Sequence, residues 1–162
     1  MGAGHRERTR GRRCCLVKPI ELVERLVAAL ETKDEQTWAR LVAATLVVRD
    51  LQPPPDWPAL MRGREAVWDH FRLAGDVFED FHRETEEYLE MGDWVIVVGR
   101  WTGTAKGSGV PIDQRTVHAV RIRKGKVVEW VWSLPDKQAA VDHVQRRTNE
   151  SSATPAAFSR RP

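Results

Sequence analysis

Two polar side chains stand among apolar neighbours where chemistry could be done. Asp50 ends the run "TLVVRD", and His118 sits inside "TVHAVRIR". His118 alternates with Val120 and Ile122, so on a strand all three share one face. A carboxylate beside apolar and aromatic groups gains basicity by losing water, and can then remove a proton next to a carbonyl. An imidazole in an apolar pocket is kept neutral by desolvation, and its remaining N–H can stabilise a developing enolate. Each residue also has a plain structural reading. An aspartate at this place caps the proline-rich turn that follows, and a histidine on an apolar strand can be a core residue bonded to nearby backbone. Together the two could equally form a structural ion pair. They make a base and an electrophile only if both reach one cavity.

The aromatic residues are the natural walls of such a cavity. Trp130 and Trp132 recur two apart and share one strand face. Trp38 and Phe71 lie on the apolar stripes of two predicted helices, and Trp57 follows three prolines at a place suited to a lid. Trp94 and Trp101 are seven apart on one strand and point to opposite faces. His70, His82 and His143 read as surface or partly buried structural residues. No His/Asp/Glu spacing suits a metal, and no cofactor fingerprint is present. The glycines of "GTAKGSG" lack the strand-to-helix context of a phosphate loop. Arg121, Arg123, Lys124 and Lys126 gather at a hairpin tip and read as a solvated turn.

The elements that must position these residues follow from period and punctuation. Pro19 opens a helix, "PIELVERLVAALETKD", with Ile20, Val23, Val27 and Leu30 in one stripe. Asp34 caps a second helix containing Trp38, Leu41 and Val42. A short β-rich run ends at Asp50 before "LQPPPDWP". A third helix, "GREAVWDHFRLAG", is expected to stop at Gly75. From there the pattern alternates. "FHRETEEYLEM" reads as a strand with one face in water. "GDWVIVVGRWTGT" is apolar on both faces and therefore central. "IDQRTVHAVRIR" and "VVEWVWSL" flank the turn "KGK", and a short helix, "DKQAAVDHVQRR", closes the domain. Helices followed by an antiparallel meander predict an α+β fold, with helices packed on one face of a curved sheet and a concave site between them.

Length and charge bound the alternatives. The chain has 162 residues and a net charge of +3, enough for one domain. The charge is unevenly placed: residues 1–18 carry +5, residues 146–162 carry +3, and the segment between them carries −5. The predicted layout is therefore a domain over 19–145 between disordered basic tails, 1–18 and 146–162. An acidic domain argues against nucleic acid as partner. Cys14 and Cys15 are adjacent and suit neither a disulfide framework nor a metal, which favours a reducing, cytoplasmic setting. No apolar run is long enough for a membrane span. The expected partners are a small apolar molecule and a second copy of the chain, paired through the apolar outer face of the sheet.

The order of elements, with "MRGREAVWDHF", "GDWVIVVGRWTGT" and "VHAVRIRKGKVVEW", resembles the SnoaL-like branch of the NTF2-like superfamily, which also holds the ketosteroid isomerases and limonene-epoxide hydrolases. The resemblance spans roughly residues 19–145. It implies a cone formed by a curved, antiparallel or mixed sheet with N-terminal helices on its concave face. It places Asp50 at the isomerases' general base and His118 at their oxyanion-donating acid. It places Leu26 at their second donor, a tyrosine, and Trp132 where the epoxide hydrolases and some cyclases carry an aspartate. Arg100 lies near the hydrolases' arginine, but an indole at 132 can be neither acid nor base. The function implied is a cofactor-independent isomerase or cyclase acting by proton transfer on an apolar carbonyl or polyketide-like compound. The alternative is a non-catalytic module that binds a hydrophobic ligand or a protein.

Overall fold

Asp34 accepts a hydrogen bond from the Thr37 N–H at 3.0 Å and so separates two helices that a continuous polar stretch would otherwise blur. Before it runs α1 (Pro19–Glu31) and after it α2 (Glu35–Leu41). The buried face of α1 is Leu22, Val23, Leu26, Ala29 and Leu30. Ile20 and Val27 pack only partly against the core, so the stripe lies rotated from the one that the 3–4 spacing predicts. The structure, a computed structural model, describes residues 17–153. Most of the expected N-terminal tail, with Cys14 and Cys15, lies outside the described residues, as does the chain beyond 153.

β1 (Val42–Asp50) follows α2 directly, and the prolines lead to a three-residue edge strand, β2 (Leu60–Arg62). α3 (Arg64–Val77) runs through Gly75 instead of stopping there. Four long strands then form a meander: β3 (Phe78–Met91), β4 (Trp94–Ala105), β5 (Pro111–Arg123) and β6 (Lys126–Trp132). Lys124 and Gly125 make the β5–β6 turn with φ of 51° and 72°, the left-handed pair that a two-residue hairpin needs. The sheet order is β2-β1-β6-β5-β4-β3. Only β1 with β6 is parallel; the other pairs are antiparallel. The architecture is α+β with a mixed, curved sheet, as expected.

Bulges bend the sheet. Register shifts interrupt β3–β4 between Glu79 and His82 and between Thr85 and Glu87, and β5–β6 between Arg121 and Ile122; each adds local twist. Gly99 makes the second of these close: a Cβ there would lie 2.3 Å from the Glu84 carbonyl oxygen. The bend thus depends on a residue without a side chain, and it carries the neighbouring part of β3 over the concave face.

The concave face and helices α1–α3 share one core, in which Leu26, Trp38, Leu46, Val48, Val67 and Val120 are essentially inaccessible. The outer face has its own core: Trp94, Ile96, Val98, Val117, Ala119 and Val131 lie under Ala140 and Val144 of α4 (Lys137–Ser152). Two expectations change here. The helices are not confined to one face. The apolar outer face, offered as the surface for a second copy, is covered by α4, so the premise of that dimer does not hold. Helix α4 also continues past 145, so residues 146–152 are helix and not tail. Arg147 donates to both oxygens of Glu129 at 2.9 Å, and Arg121 donates to Ser151 Oγ at 3.0 Å. Polar contacts hold this last stretch where apolar periodicity has ended.

Candidate functional site

Five of the six strands, all but the edge strand β2, present a side chain to the concave face. Asp50 on β1 pairs in register with Trp132 on β6, and Val120 on β5 pairs with Trp130. His118 is two residues before Val120 and so shares its face. Arg83 on β3 is the direct partner of Trp101 on β4. Walking across the sheet therefore meets Asp50, the two tryptophans, His118, Trp101 and Arg83. Helix α3 closes the space from above with His70 and Phe71.

The space between sheet and helix is a cleft open to solvent, of about 470 Å³, and its wall includes both Asp50 and His118. That is the condition the pair had to meet. Trp57, Phe71 and Trp132 also line it. Trp130 lines a contiguous crevice of about 40 Å³ that shares His118, Phe71, Arg83, Trp101 and Trp132 with the cavity. Leu26 and Trp38 do not line this cavity. They are 0% and 1% exposed in the core, and the Trp38 indole N–H donates to the Arg64 carbonyl at 3.3 Å. Their expected role as lining residues is therefore corrected: they support the wall from behind.

Asp50 is half-buried at the strand end. Its backbone N–H donates to the Ala59 carbonyl at 2.9 Å, and its Oδ1 accepts from the Gln52 N–H at 3.1 Å. One carboxylate oxygen thus caps the turn, as aspartates in turns do. His118 is 7% exposed, and its Nδ1 is buried with no hydrogen-bond partner among the described residues. Its ring stacks on Trp101 at 5.5 Å and meets the edge of Trp130 at 6.1 Å. Burial, helped by the charge of Arg83, holds its pKa down at about 4. At neutral pH it is an uncharged imidazole with one N–H to donate.

Two wall residues escape sequence reasoning. His70, set aside as structural, lies 4.4 Å edge-on from Trp57 and 5.8 Å from Trp132. Its Nε2 is buried without a partner. Burial lowers its pKa, and the negative charge of Asp50 partly opposes this. Arg83 was hidden in the charged run "HRETEE", although it alternates with Phe81 and Thr85 against exposed His82, Glu84 and Glu86. That alternation was the available signal. Arg100, by contrast, lies outside the cavity: its guanidinium bonds Asp113 at 2.5 and 2.6 Å among exposed side chains.

No group of three His, Cys, Asp or Glu side chains is disposed to hold a metal ion among the described residues. Among the described residues no helix is long and apolar enough to cross a membrane. What the arrangement offers chemically is a carboxylate, a neutral imidazole and a guanidinium around one aromatic-walled space.

A SnoaL-like domain model matches residues 23–130. An uncharacterised PhzA/B-like protein of Pseudomonas aeruginosa is 26% identical over 110 residues, 67% of this chain and 77% of its own. Among solved structures, an NTF2-like protein from Burkholderia thailandensis superposes with a TM-score of 0.66 at 22% identity, covering 80% of this chain and 98% of that one. IdmH from Streptomyces antibioticus, a candidate polyketide cyclase, gives a TM-score of 0.63 at 20% identity over 80% and 99% of the two chains. At these identities the structural likeness speaks for the fold alone.

Proposed function

Because the chain belongs to the SnoaL-like family, we propose that its cavity is the active site of a cofactor-independent isomerase or cyclase that moves a proton on an apolar carbonyl compound. The observation that carries this reading is the presence of Asp50 and His118 on the wall of one aromatic-lined cavity. The Asp50 carboxylate takes the proton from the carbon next to the carbonyl. The C–H electron pair moves into the C–C bond and the carbonyl π pair moves onto oxygen. The His118 N–H donates to that oxygen while its charge develops. Where a C=C bond adjoins the carbon that lost the proton, Asp50 returns the proton to the far end of the dienolate, which gives an isomer. Alternatively the enolate carbon attacks a second carbonyl within the substrate, which closes a ring, and Asp50 gives its proton to the alkoxide so formed. Trp130 and Trp132 hold the apolar body, and burial keeps His118 in the uncharged form that the role requires.

A second reading has its own observation. Asp50 Oδ1 already accepts from Gln52, as expected of a purely turn-capping aspartate. In that case the chain is a binding module for a hydrophobic ligand, and Trp132 governs affinity.

The test needs no prior substrate. Small cyclic ketones and enones, and polyketide-like compounds, are incubated in D2O, and exchange of protons next to the carbonyl is followed by NMR. Wild type should accelerate exchange for some of them. Asp50→Asn should then lower the rate by about 10²–10⁴, and His118→Ala by about 10²–10³, with the double variant losing less than the product of the two. Full activity in both single variants would remove the assignment. Binding of such compounds, seen as quenched tryptophan fluorescence, with no exchange on any of them would favour the second reading.

A further inference from the structure

Arg83 is a charged group without a hydrogen-bond acceptor among the described residues. Its guanidinium lies 4.5 Å from the Phe81 ring centroid and 5.8 Å from those of Phe71 and Trp101. An arginine carries five N–H donors in a planar fork. Among the described residues none of them meets a hydrogen-bond acceptor, and no carboxylate lies within the 4.0 Å of an ion pair. Glu31 at the end of α1 attracts it only at longer range. Burial lowers the Arg83 pKa to about 10, which still leaves the side chain charged at neutral pH. The other basic group on the cavity wall, Arg115, is exposed and faces Glu86 at 3.7 Å. The acid on the wall, Asp50, stands on β1, four strands from β3 in the sheet order.

Rings stacked on a guanidinium fix its plane and leave the donor edge free. That edge matches a carboxylate, which accepts two parallel N–H bonds at once. A wholly apolar ligand would instead bury these donors unpaired, which is unfavourable. His118 lies two strands from Arg83, between it and Asp50. A carboxylate on Arg83 therefore directs the rest of the molecule along the sheet toward His118 and Asp50.

We propose that the substrate of this site carries a carboxylate seated on Arg83, so that among carbonyl compounds with an apolar ring a keto acid is preferred to the neutral ketone. The inference rests on the proton-transfer reading for the word substrate, but the binding it predicts does not require turnover. It also gives the aromatic cage a purpose, since the cage holds a cation ready in a space that otherwise repels charge.

The experiment compares 2-naphthoate with 2-naphthamide, two probes of the same shape, by quenching of tryptophan fluorescence. Wild type should bind the acid at least about tenfold more tightly, the worth of one charge-assisted hydrogen bond. Arg83→Met should bring the ratio near one while leaving amide binding in place. Arg83→Lys should keep an intermediate preference, since it retains charge without the fork. Arg115→Met should keep the full preference. Equal binding of acid and amide to wild type overturns the proposal while the apolar cavity stands, and that comparison needs no variant to fold. An acid preference that survives Arg83→Met overturns it too, by locating the carboxylate elsewhere. If neither probe binds at millimolar concentration, the proposal and the ligand-binding reading of the cavity fall together.

Discussion

His118 and Trp101 lie close to parallel across the β4–β5 ladder, with ring centroids 5.5 Å apart and planes 29° from one another. The indole covers one face of the imidazole, the residue as a whole is buried, and Arg83 adds positive charge nearby. The folded pKa of about 4 lies below the ordinary value of 6.5, so folding favours the neutral form. As pH falls, the unfolded chain takes up this proton first. The stability contributed by the site is therefore complete above about pH 6.5 and is lost as pH falls toward 4.

We expect NMR of the assigned His118 ring to show no titration between pH 6 and 8. Denaturant unfolding of wild type and His118→Gln between pH 7 and 4 should show wild type losing the larger amount of stability, by up to about 3 kcal/mol. A midpoint near 6.5 for His118 would contradict both the burial and the role of neutral donor.

Two glycines should respond oppositely to the same change. At Gly99 an added methyl group meets the Glu84 backbone oxygen at 2.3 Å. Gly99→Ala should cost about 1–3 kcal/mol and weaken binding of any ligand that uses Arg83, because the bulge must open. At Gly75, inside α3, the new carbon meets nothing closer than the end of the Lys33 side chain at 3.9 Å. Gly75→Ala should stabilise by about 0.5–1 kcal/mol through helix propensity and a less flexible unfolded chain. Thermal melts of the two variants check both signs.

Glu129 ties α4 to the sheet. It accepts two bonds from Arg147, with Arg121 at 3.8 Å and Arg49 at 3.8 Å, and its side chain is only 10% exposed. Glu129→Gln leaves several guanidinium groups short of a counter-charge. It should destabilise by roughly 3 kcal/mol, as breaking a buried pair does. Hydrogen exchange should speed up most over residues 146–152. Unchanged protection there would mean that the helix end is held by something else.

How far the site could be read in advance depended on whether its signals were local. Asp34 as a cap, the Lys124–Gly125 turn and the shared face of Trp130 and Trp132 are neighbour-scale features, and each is as expected. Asp50 and His118 lie on one wall because strand parity carries across a sheet whose register is regular between them. Arg83 was harder to read for the converse reason: its alternation with Phe81 and Thr85 is short, register shifts bound it on both sides, and a run rich in charge looks like a solvated face. His70 shares a turn of α3 with Phe71, and helical period alone does not tell the flank of an apolar face from its solvent side. Leu26 and Trp38 face the correct direction but stop one layer short of the cavity, a matter of depth that period cannot encode. The end of α4 has no apolar signal, since Arg147 and Ser151 anchor it through charge and hydrogen bonds.

The single parallel pairing, β1 with β6, sets a timetable. β3 to β6 are joined by short connections and can zip up from neighbour to neighbour. Asp50 must meet Trp132, its register partner, across nearly the whole intervening chain, and such distant closures come late in folding. During synthesis the His118 side of the cavity can be formed while its Asp50 side still waits for β6 to leave the ribosome. Until then Val48 and Val120 lack their common neighbour Trp130. The newborn chain thus passes through a half-built, sticky cup, and chaperone demand should peak there, not in the finished protein.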